Sequence, residues 1–178
     1  MPISLYDAVI PTMIQITQAL RNVLDKVEAF AAEKGLTEAE LLGARLIDDM
    51  FPLNKQIACT VLNSSYAIES TRKGEFLLDP TAPPPADMTE MKAALDDVVA
   101  ALKAVTPEEM EAMIGRNLHY SIPAFGLEMD YAAEDFLLSY VQPNFFFHIT
   151  TAYDILRGLG VSIGKRDFLG QLRIKTAA

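Results

Sequence analysis

The sequence is poor in the residues that build most disulfide, redox and metal sites. Its 178 residues include one cysteine, Cys59, two histidines, His119 and His148, and no tryptophan. A single cysteine excludes an intrachain disulfide and any CxxC zinc or redox motif. We therefore expect a reducing, cytoplasmic location.

Positive charge and long apolar runs are also scarce. There are 15 Lys and Arg against 24 Asp and Glu, for a net charge of −9 and a pI near 4.7. This balance argues against partners that are nucleic acids or anionic membranes, because affinity for phosphate depends on clustered Lys and Arg. No window approaches the ~18 uninterrupted apolar residues of a membrane span, and no signal peptide is evident. A soluble, unprocessed protein is expected.

The commonest cofactor and nucleophile motifs are missing as well. The chain contains no GxGxxG, P-loop, GxSxG or HExxH pattern, so the usual nucleotide-binding, hydrolase and zinc-protease sites are not indicated. What it does have is a 51% hydrophobic composition. A chain of this length and composition predicts one domain, residues 1–178, with a substantial core.

Three long stretches in the first part of the chain have apolar residues at steps of three and four, which predicts helices. The first is "SLYDAVIPTMIQITQALRNVLDKVEAFAAEKG", with Ser4 as its cap, Gly35 as its stop and a kink or delayed start at Pro11. The second begins after Pro52, in "MFPLNKQIACTVLNSSYAIESTRKG". The third is "TEMKAALDDVVAALKAV", for which Thr89 is the predicted N-cap.

A fourth helix is predicted in "DYAAEDFLLSYVQPNFFFHITTAYDILRGLG", interrupted by Pro143 and ended by Gly158 and Gly160. Shorter helical pieces are predicted in "TEAELLGARL" and "TPEE". Between the long helices, "GEFLLDPTAPPPADM" predicts an extended, proline-rich connector and "RNLHYSIPAFGLEMDY" a small β-hairpin. Together these elements predict an all-α, up-and-down four-helix bundle with a possible hairpin before the last helix.

The most specific stretch is "PNFFFHITTAYDILRGLGVSIGKRDFLG". Together with "SLYDAVIP" and "ARLIDDMFPLNKQIA", it closely resembles the uncharacterised family named domain of unknown function nineteen ninety-three. That family belongs to the DinB/YfiT-like superfamily, to which metalloenzyme activity is ascribed. The resemblance spans essentially the whole chain, and it implies a four-helix bundle, often dimeric, with a cavity near one end.

The same resemblance implies where a metal site would lie. In many superfamily members three histidines bind a divalent metal, one from the second helix and two from the fourth. "HITTAYDILRGLG" is similar to the pattern that starts at the last of these histidines, so His148 takes that position and Asn144 the preceding one. The matching region of the second helix holds Gln56, Thr60 and Asn63. With two histidines in the chain, a three-histidine site in one subunit cannot form, and no metal cofactor is expected; His148 would be the ligand of any metal that did bind.

Two interpretations of His148 remain open. In the first, it is a core residue held by neighbouring amides or hydroxyls, since a buried polar group without a partner costs about 1–3 kcal/mol. In the second, a polar cluster in the bundle binds a small molecule. Catalytic residues cannot be assigned, and the candidate ligand-binding residues are the same in both cases: His148, Asn144, Gln56, Asn63, Thr60 and Thr151.

Three other residues have a functional and a structural interpretation. Asp48 and Asp49 could form an acid/base pair, but acidic residues just before a helix are more often stabilised there by the helix dipole. Cys59 could be a nucleophile, but no base lies near it in the sequence, and an isolated cysteine on a helix is usually a small core residue.

The segment "GVSIGKRDFLG" is predicted to be a loop after the last helix. Lys165 and Arg166 could hold an anionic ligand there. The favoured alternative is a structural turn in which Asp167 pairs with a basic neighbour and Phe168 plugs the end of the bundle, because surface ion pairs are common and individually weak.

The run Phe145 to Phe147 covers too much of a helix circumference to face one core. Such a surplus of large apolar residues predicts a homodimer packed through helix faces, as the resemblance also implies.

Three functional classes therefore stay open. The first is a DinB-like protein that binds a small molecule around His148 without a complete metal triad. The second is a metal- or thiol-dependent enzyme of the transferase or hydrolase type, with His148 as a base. The third is a non-catalytic, dimeric structural protein.

Overall fold

The computed structural model describes residues 3–175, and it is mostly helical with one small sheet. The helices are α1 Leu5–Lys34, α2 Glu38–Gly43, α3 Leu53–Val61, α4 Ala67–Lys73, α5 Met88–Lys103, α6 Pro107–Glu111, α7 Ala133–Asp135, α8 Gln142–Gly158 and α9 Lys165–Leu169. The strands are β1 Glu75–Leu77, β2 Asn117–Ile122 and β3 Leu127–Ala132.

The first long helix, α1, begins and ends as its sequence predicts. The Ser4 hydroxyl accepts the Asp7 N–H at 3.0 Å, which satisfies one of the free N–H groups of the first turn. Gly35 ends the helix with a φ of 67°, a conformation that favours glycine. The helix runs without a break through Pro11, where the missing N–H removes one intrahelical hydrogen bond.

The second long helical segment starts at Leu53, directly after Pro52, as predicted. It is not uniform, because a π-helical turn, Leu62–Tyr66, separates α3 from α4. Within this turn Asn63 has φ −91° and ψ 25°. Periodicity does not reveal such a turn, since apolar steps of three and four residues do not show where one extra residue is inserted.

The sheet is larger than the predicted hairpin. Strands β2 and β3 form that hairpin, with His119 opposite Asp130, but β1 adds a third strand that runs parallel to β2. The sequence assigned β1 to the connector, and this assignment was wrong. Parallel pairing joins residues far apart in the chain, as in the bond from the Leu78 N–H to the Ser121 carbonyl at 2.9 Å, and a three-residue strand has no pattern of its own.

The third long helix, α5, begins two residues earlier than expected. Its N-cap is Asp87, whose carboxylate accepts the Glu90 N–H at 2.7 Å, and Thr89 lies inside the first turn. Asp and Thr both cap helices, and the residue that comes first in an extended conformation takes the position.

The proline-rich connector before α5 is tied to α3 by two side chains. The Asn54 amide donates to the Pro85 carbonyl at 3.2 Å, and the Lys55 ammonium donates to the Ala82 carbonyl at 2.9 Å. The prolines cannot donate hydrogen bonds of their own, so the fixed position of the connector depends on α3.

The fourth long segment is interrupted before Pro143, and not at it. A π-helical turn, Phe136–Val141, joins α7 to α8, and Pro143 lies in the first turn of α8. Because Pro143 has no N–H, it cannot pair with the carbonyl one turn earlier, and the helical hydrogen-bond pattern changes there. The predicted end at Gly158 is correct.

The core joins all four long segments and the sheet. Helix α1 packs against α5 and α8, and α3 packs against the same two helices. An aromatic group attaches the sheet to the helices: the Phe76 ring lies 5.4 Å from Tyr120 and 5.2 Å from Phe136, and Tyr120 lies 5.1 Å from Tyr140. Within residues 3–175, no helix has the length and apolar character needed to cross a membrane.

Candidate functional site

The side chains of His148 on α8 and Gln56 on α3 meet where these two helices pack together. His148 Nδ1 lies 2.8 Å from Gln56 Oε1, and Gln56 is 1% exposed. The other end of the same amide, Gln56 Nε2, donates to the Phe51 carbonyl at 3.1 Å. Since that contact orients the amide, its oxygen faces the imidazole, and Nδ1 of His148 must carry the proton and donate.

This tautomer leaves His148 Nε2 as a hydrogen-bond acceptor. No residue among 3–175 forms a hydrogen bond with Nε2, and His148 is half-buried. Burial lowers the pKa of His148 to about 4, because the charged imidazolium is poorly solvated there. Near pH 7 the side chain is neutral, so it can accept a hydrogen bond but is a weak general base.

We expect His119 and His148 to titrate at well-separated pH values. His119 is exposed, and its Nδ1 lies 2.9 Å from Asp130, whose carboxylate raises the pKa of His119 above 6.5. The imidazole C–H signals in an NMR pH titration should therefore give one midpoint above 6.5 and one near 4. A midpoint near 6.5 for the signal lost in His148→Gln would contradict the burial of His148.

The lowered pKa of His148 makes the stability of the fold depend on pH. The pKa of His148 is lower in the folded chain than in the unfolded chain, so the unfolded chain binds more protons between about pH 4 and 6.5. The contribution of His148 to the free energy of unfolding is complete above about pH 6.5 and is lost as the pH falls toward 4. We expect urea unfolding to show that the free energy of unfolding falls more steeply between pH 6.5 and pH 4 in the natural chain than in His148→Gln.

The other predicted site residues mostly bond to their own helices. Thr60 donates to the Gln56 carbonyl at 2.9 Å, Thr151 to the Phe147 carbonyl at 2.7 Å, and Asn144 to the Tyr140 carbonyl at 2.7 Å. Buried hydroxyls and amides commonly use a carbonyl one turn earlier in this way. Of the six candidates, hydrogen bonds therefore join only His148 and Gln56 across two helices.

Asn63 is the sixth candidate, and its side chain is only half satisfied. Its amide Nδ2 donates to the Cys59 carbonyl at 2.9 Å, but its Oδ1 is buried without a partner among residues 3–175. It belongs to the π-helical turn, a feature that is frequent at functional sites. Asn63 is thus a buried polar residue about two helical turns after Gln56, and its hydrogen bond goes to Cys59 and not to His148.

The positions of the DinB-like metal triad do not fit a transition metal. One imidazole is present, and its Nδ1 proton is donated to Gln56, while Asn144 directs its amide to the Tyr140 carbonyl. Amide oxygens are poor ligands for zinc, nickel or iron. No cluster of three or more His, Cys, Asp or Glu side chains able to hold a metal occurs within residues 3–175.

The remaining predicted residues lie outside this site. Asp48 and Asp49 are exposed in the turn before α3, which starts at Leu53, so they are not in its first turn. Cys59 is buried, and burial raises the pKa of its thiol, which makes it a poor nucleophile.

In the predicted loop after α8, residues 160–164 are non-helical as expected, but Lys165–Leu169 form the short helix α9. Lys165 and Arg166 open α9. Asp167 pairs with Lys26 of α1 at 2.6 Å, and not with a neighbour in its own segment. Phe168 is half-buried and packs against Tyr153, with ring centroids 5.5 Å apart.

Sequence reasoning missed the role of Phe51. Its carbonyl holds Gln56 in the orientation that sets the His148 tautomer, while its own ring is 51% exposed. No sequence signal identifies such a residue, because every amino acid offers a backbone carbonyl.

The comparisons with known proteins agree with the architecture. The model of a family described as "Domain of unknown function (DUF1993)" matches residues 5–169. The crystal structure of a DinB family member protein from Shewanella denitrificans is similar, with a TM-score of 0.77 and 28% identity over 97% of this chain and 96% of that chain. Among curated proteins, none matches.

Proposed function

This chain belongs to the DUF1993 family, and from that membership we propose that it is a DinB-like protein that binds a small molecule beside His148 and Gln56, without a complete metal triad. The observation that carries the proposal is the 2.8 Å bond from His148 Nδ1 to Gln56 Oε1. It leaves Nε2 of this half-buried residue free to accept a hydrogen bond, and an acceptor held in one fixed orientation can serve as a recognition group.

The ligand should be neutral and should carry a hydrogen-bond donor. A pKa near 4 keeps His148 uncharged, so it offers neither a charge to an anion nor strong basicity to a reaction. The Phe147 ring lies edge-on to the imidazole, with centroids 5.2 Å apart, and provides an apolar neighbour. A ligand with a hydroxyl group on an apolar body would donate to His148 and pack against Phe147.

The architecture we propose for this site is the up-and-down four-helix bundle of the DinB-like proteins. It is supported by the packing of α1 and α3 against both α5 and α8 and by the similarity to the DinB family member. In that arrangement the second and fourth long segments carry Gln56 and His148, as the resemblance of the sequence implies.

A matched pair of probes tests the ligand class. Phenol and anisole have the same ring, but only phenol donates a hydrogen bond. With ¹⁵N-labelled protein, phenol should shift the His148 Nε2 resonance, because accepting a hydrogen bond changes the shielding of that nitrogen, and anisole should leave it in place.

Two variants complete this test. His148→Phe should abolish phenol binding, while Thr151→Val, which changes a buried residue on the same helix that bonds only to the Phe147 carbonyl, should retain it. Equal shifts with phenol and anisole, or equal losses in the two variants, would contradict the proposed site.

We also propose that the protein is a cytoplasmic homodimer. Phe145 is buried in the core, but Phe147, beside His148, is 55% exposed. Phe51, whose carbonyl accepts from Gln56, is exposed as well. Light scattering at micromolar concentration should give the mass of a dimer, and Phe147→Asp should give a monomer. Ile174→Asp, a change at an exposed apolar residue outside the helices, should leave the dimer intact; a monomeric natural chain would contradict the proposal.

A further inference from the structure

A groove lined by residues of the second helical segment, the proline-rich connector and α5 lies away from the His148 site. It has a volume of about 600 Å³ and runs between α3, the proline-rich connector and α5, within the ~300–1,000 Å³ typical of small-molecule sites. Its walls are mainly apolar, from Ala58 and Val61 of α3, Leu62 of the π-helical turn, residues 83–85 of the connector and Ala94 of α5.

Helix geometry separates this groove from the first site. Gln56 and Thr60 are buried on the side of α3 that meets α8, whereas Ala58 and Val61 lie about half a turn away from Gln56 and line the groove. Side chains two or five positions apart on a helix point in roughly opposite directions. A ligand in the groove therefore does not contact His148.

Two carboxylates give the apolar groove a negative charge. Asp79 accepts the Thr81 hydroxyl at 2.6 Å, which helps to keep the pKa of Asp79 below its usual range, and Glu90 accepts the Ala86 N–H at 2.8 Å. Within residues 3–175 neither forms a salt bridge. The Lys55 ammonium donates to the Ala82 carbonyl and also interacts with the Asp79 carboxylate, so two carboxylates against this one cation leave a negative charge.

The groove also contains an aromatic ring. The Tyr66 side chain is 39% exposed and lines the groove, and its hydroxyl is held by the Leu77 carbonyl at 2.9 Å. A ring fixed in this way presents a surface on which an organic ammonium group is stabilised by its π electrons.

We propose that this groove is a second binding site and that its ligand is an amphipathic organic cation. The apolar body of the ligand lies against the prolines and the alanines of α3 and α5. Its ammonium group interacts with Asp79, Glu90 and the Tyr66 ring. An acid-lined apolar groove discriminates by charge, since an anion of the same shape would be repelled.

Benzyltrimethylammonium and phenylmethanesulfonate test the charge preference, because they share the phenylmethyl body and differ in charge. In an NMR titration of the full chain, the cation should bind at least about tenfold more tightly than the anion, with shifts at Tyr66 and Ala94. Equal affinity of the two probes, or shifts confined to other parts of the chain, would overturn the proposal.

Variants locate the site. Glu90→Gln retains an acceptor for the Ala86 N–H and should weaken cation binding about fivefold through the lost charge, whereas Glu108→Gln, an exposed residue of α6 outside the groove, should not. Ala94→Phe should fill the groove and abolish binding of the cation, while far-UV circular dichroism confirms its fold. His148→Phe should leave the cation bound; a loss in that variant would place the cation at the first site and overturn the proposal.

Discussion

The double variant Gln56→His/Asn144→His should bind about one zinc or nickel ion per chain, whereas the natural chain should not hold a stoichiometric transition metal. With His148, the variant presents three imidazoles, one from α3 and two from consecutive turns of α8. Three protein ligands with one open position are the usual donor set of a catalytic zinc site. The natural donors are one imidazole and two amides, which are too weak for these ions.

Elemental analysis of purified protein and competition with a metal chelator measure this difference, which should amount to orders of magnitude in affinity. The control is Asn54→His/Asn144→His, which adds the same number of histidines but places one beside the connector, where Asn54 bonds to the Pro85 carbonyl. This control should stay metal-free. If the natural protein carried about one metal that His148→Ala removed, the metalloenzyme interpretation would be restored.

The variant Phe76→Ala should lower the free energy of unfolding by about 3–5 kcal/mol. Phe76 lies in β1, is fully buried, and packs against Tyr66, Tyr120 and Phe136 at centroid distances of 5.2 to 5.4 Å. Removing the ring leaves a cavity between the sheet and the second and fourth helical segments, which cannot close without moving all three.

Urea unfolding monitored by circular dichroism measures this loss. The matched control is Leu77→Ala, the next residue of the same strand, whose side chain is 47% exposed and which should change stability by less than about 0.5 kcal/mol. Equal losses in the two variants would mean that β1 does not attach the sheet to the helices through Phe76.

Much of the helical structure follows from local sequence. The Ser4 cap, the start after Pro52 and the stops at Gly35 and Gly158 are all correct, because caps, prolines and glycines act on backbone groups within one turn. The family membership, expected from the last helix and its flanks, is confirmed by a match over residues 5–169.

The features that were missed depend on partners distant in the chain or on small backbone adjustments. Strand β1 exists because residues 75–77 pair with residues 119–121, and no pattern within three residues encodes that pairing. The π-helical turns each insert one residue into a helix, and apolar steps of three and four residues do not reveal where such an insertion occurs. The N-cap of α5 is Asp87 and not the predicted Thr89. Both residue types are suitable caps, and Asp87 comes first in the chain.

For the site, composition alone determined that one subunit cannot build three histidine ligands, since the chain has two histidines. The sequence also predicted Gln56 and His148 as two of the six candidate ligand-binding residues. Only the packing of α3 against α8 decided that these two side chains meet while Thr60, Asn144 and Thr151 turn to carbonyls of their own helices. Helical spacing determines the face on which a residue lies, but the choice between a partner across the interface and a carbonyl one turn away depends on distances that the folded core sets.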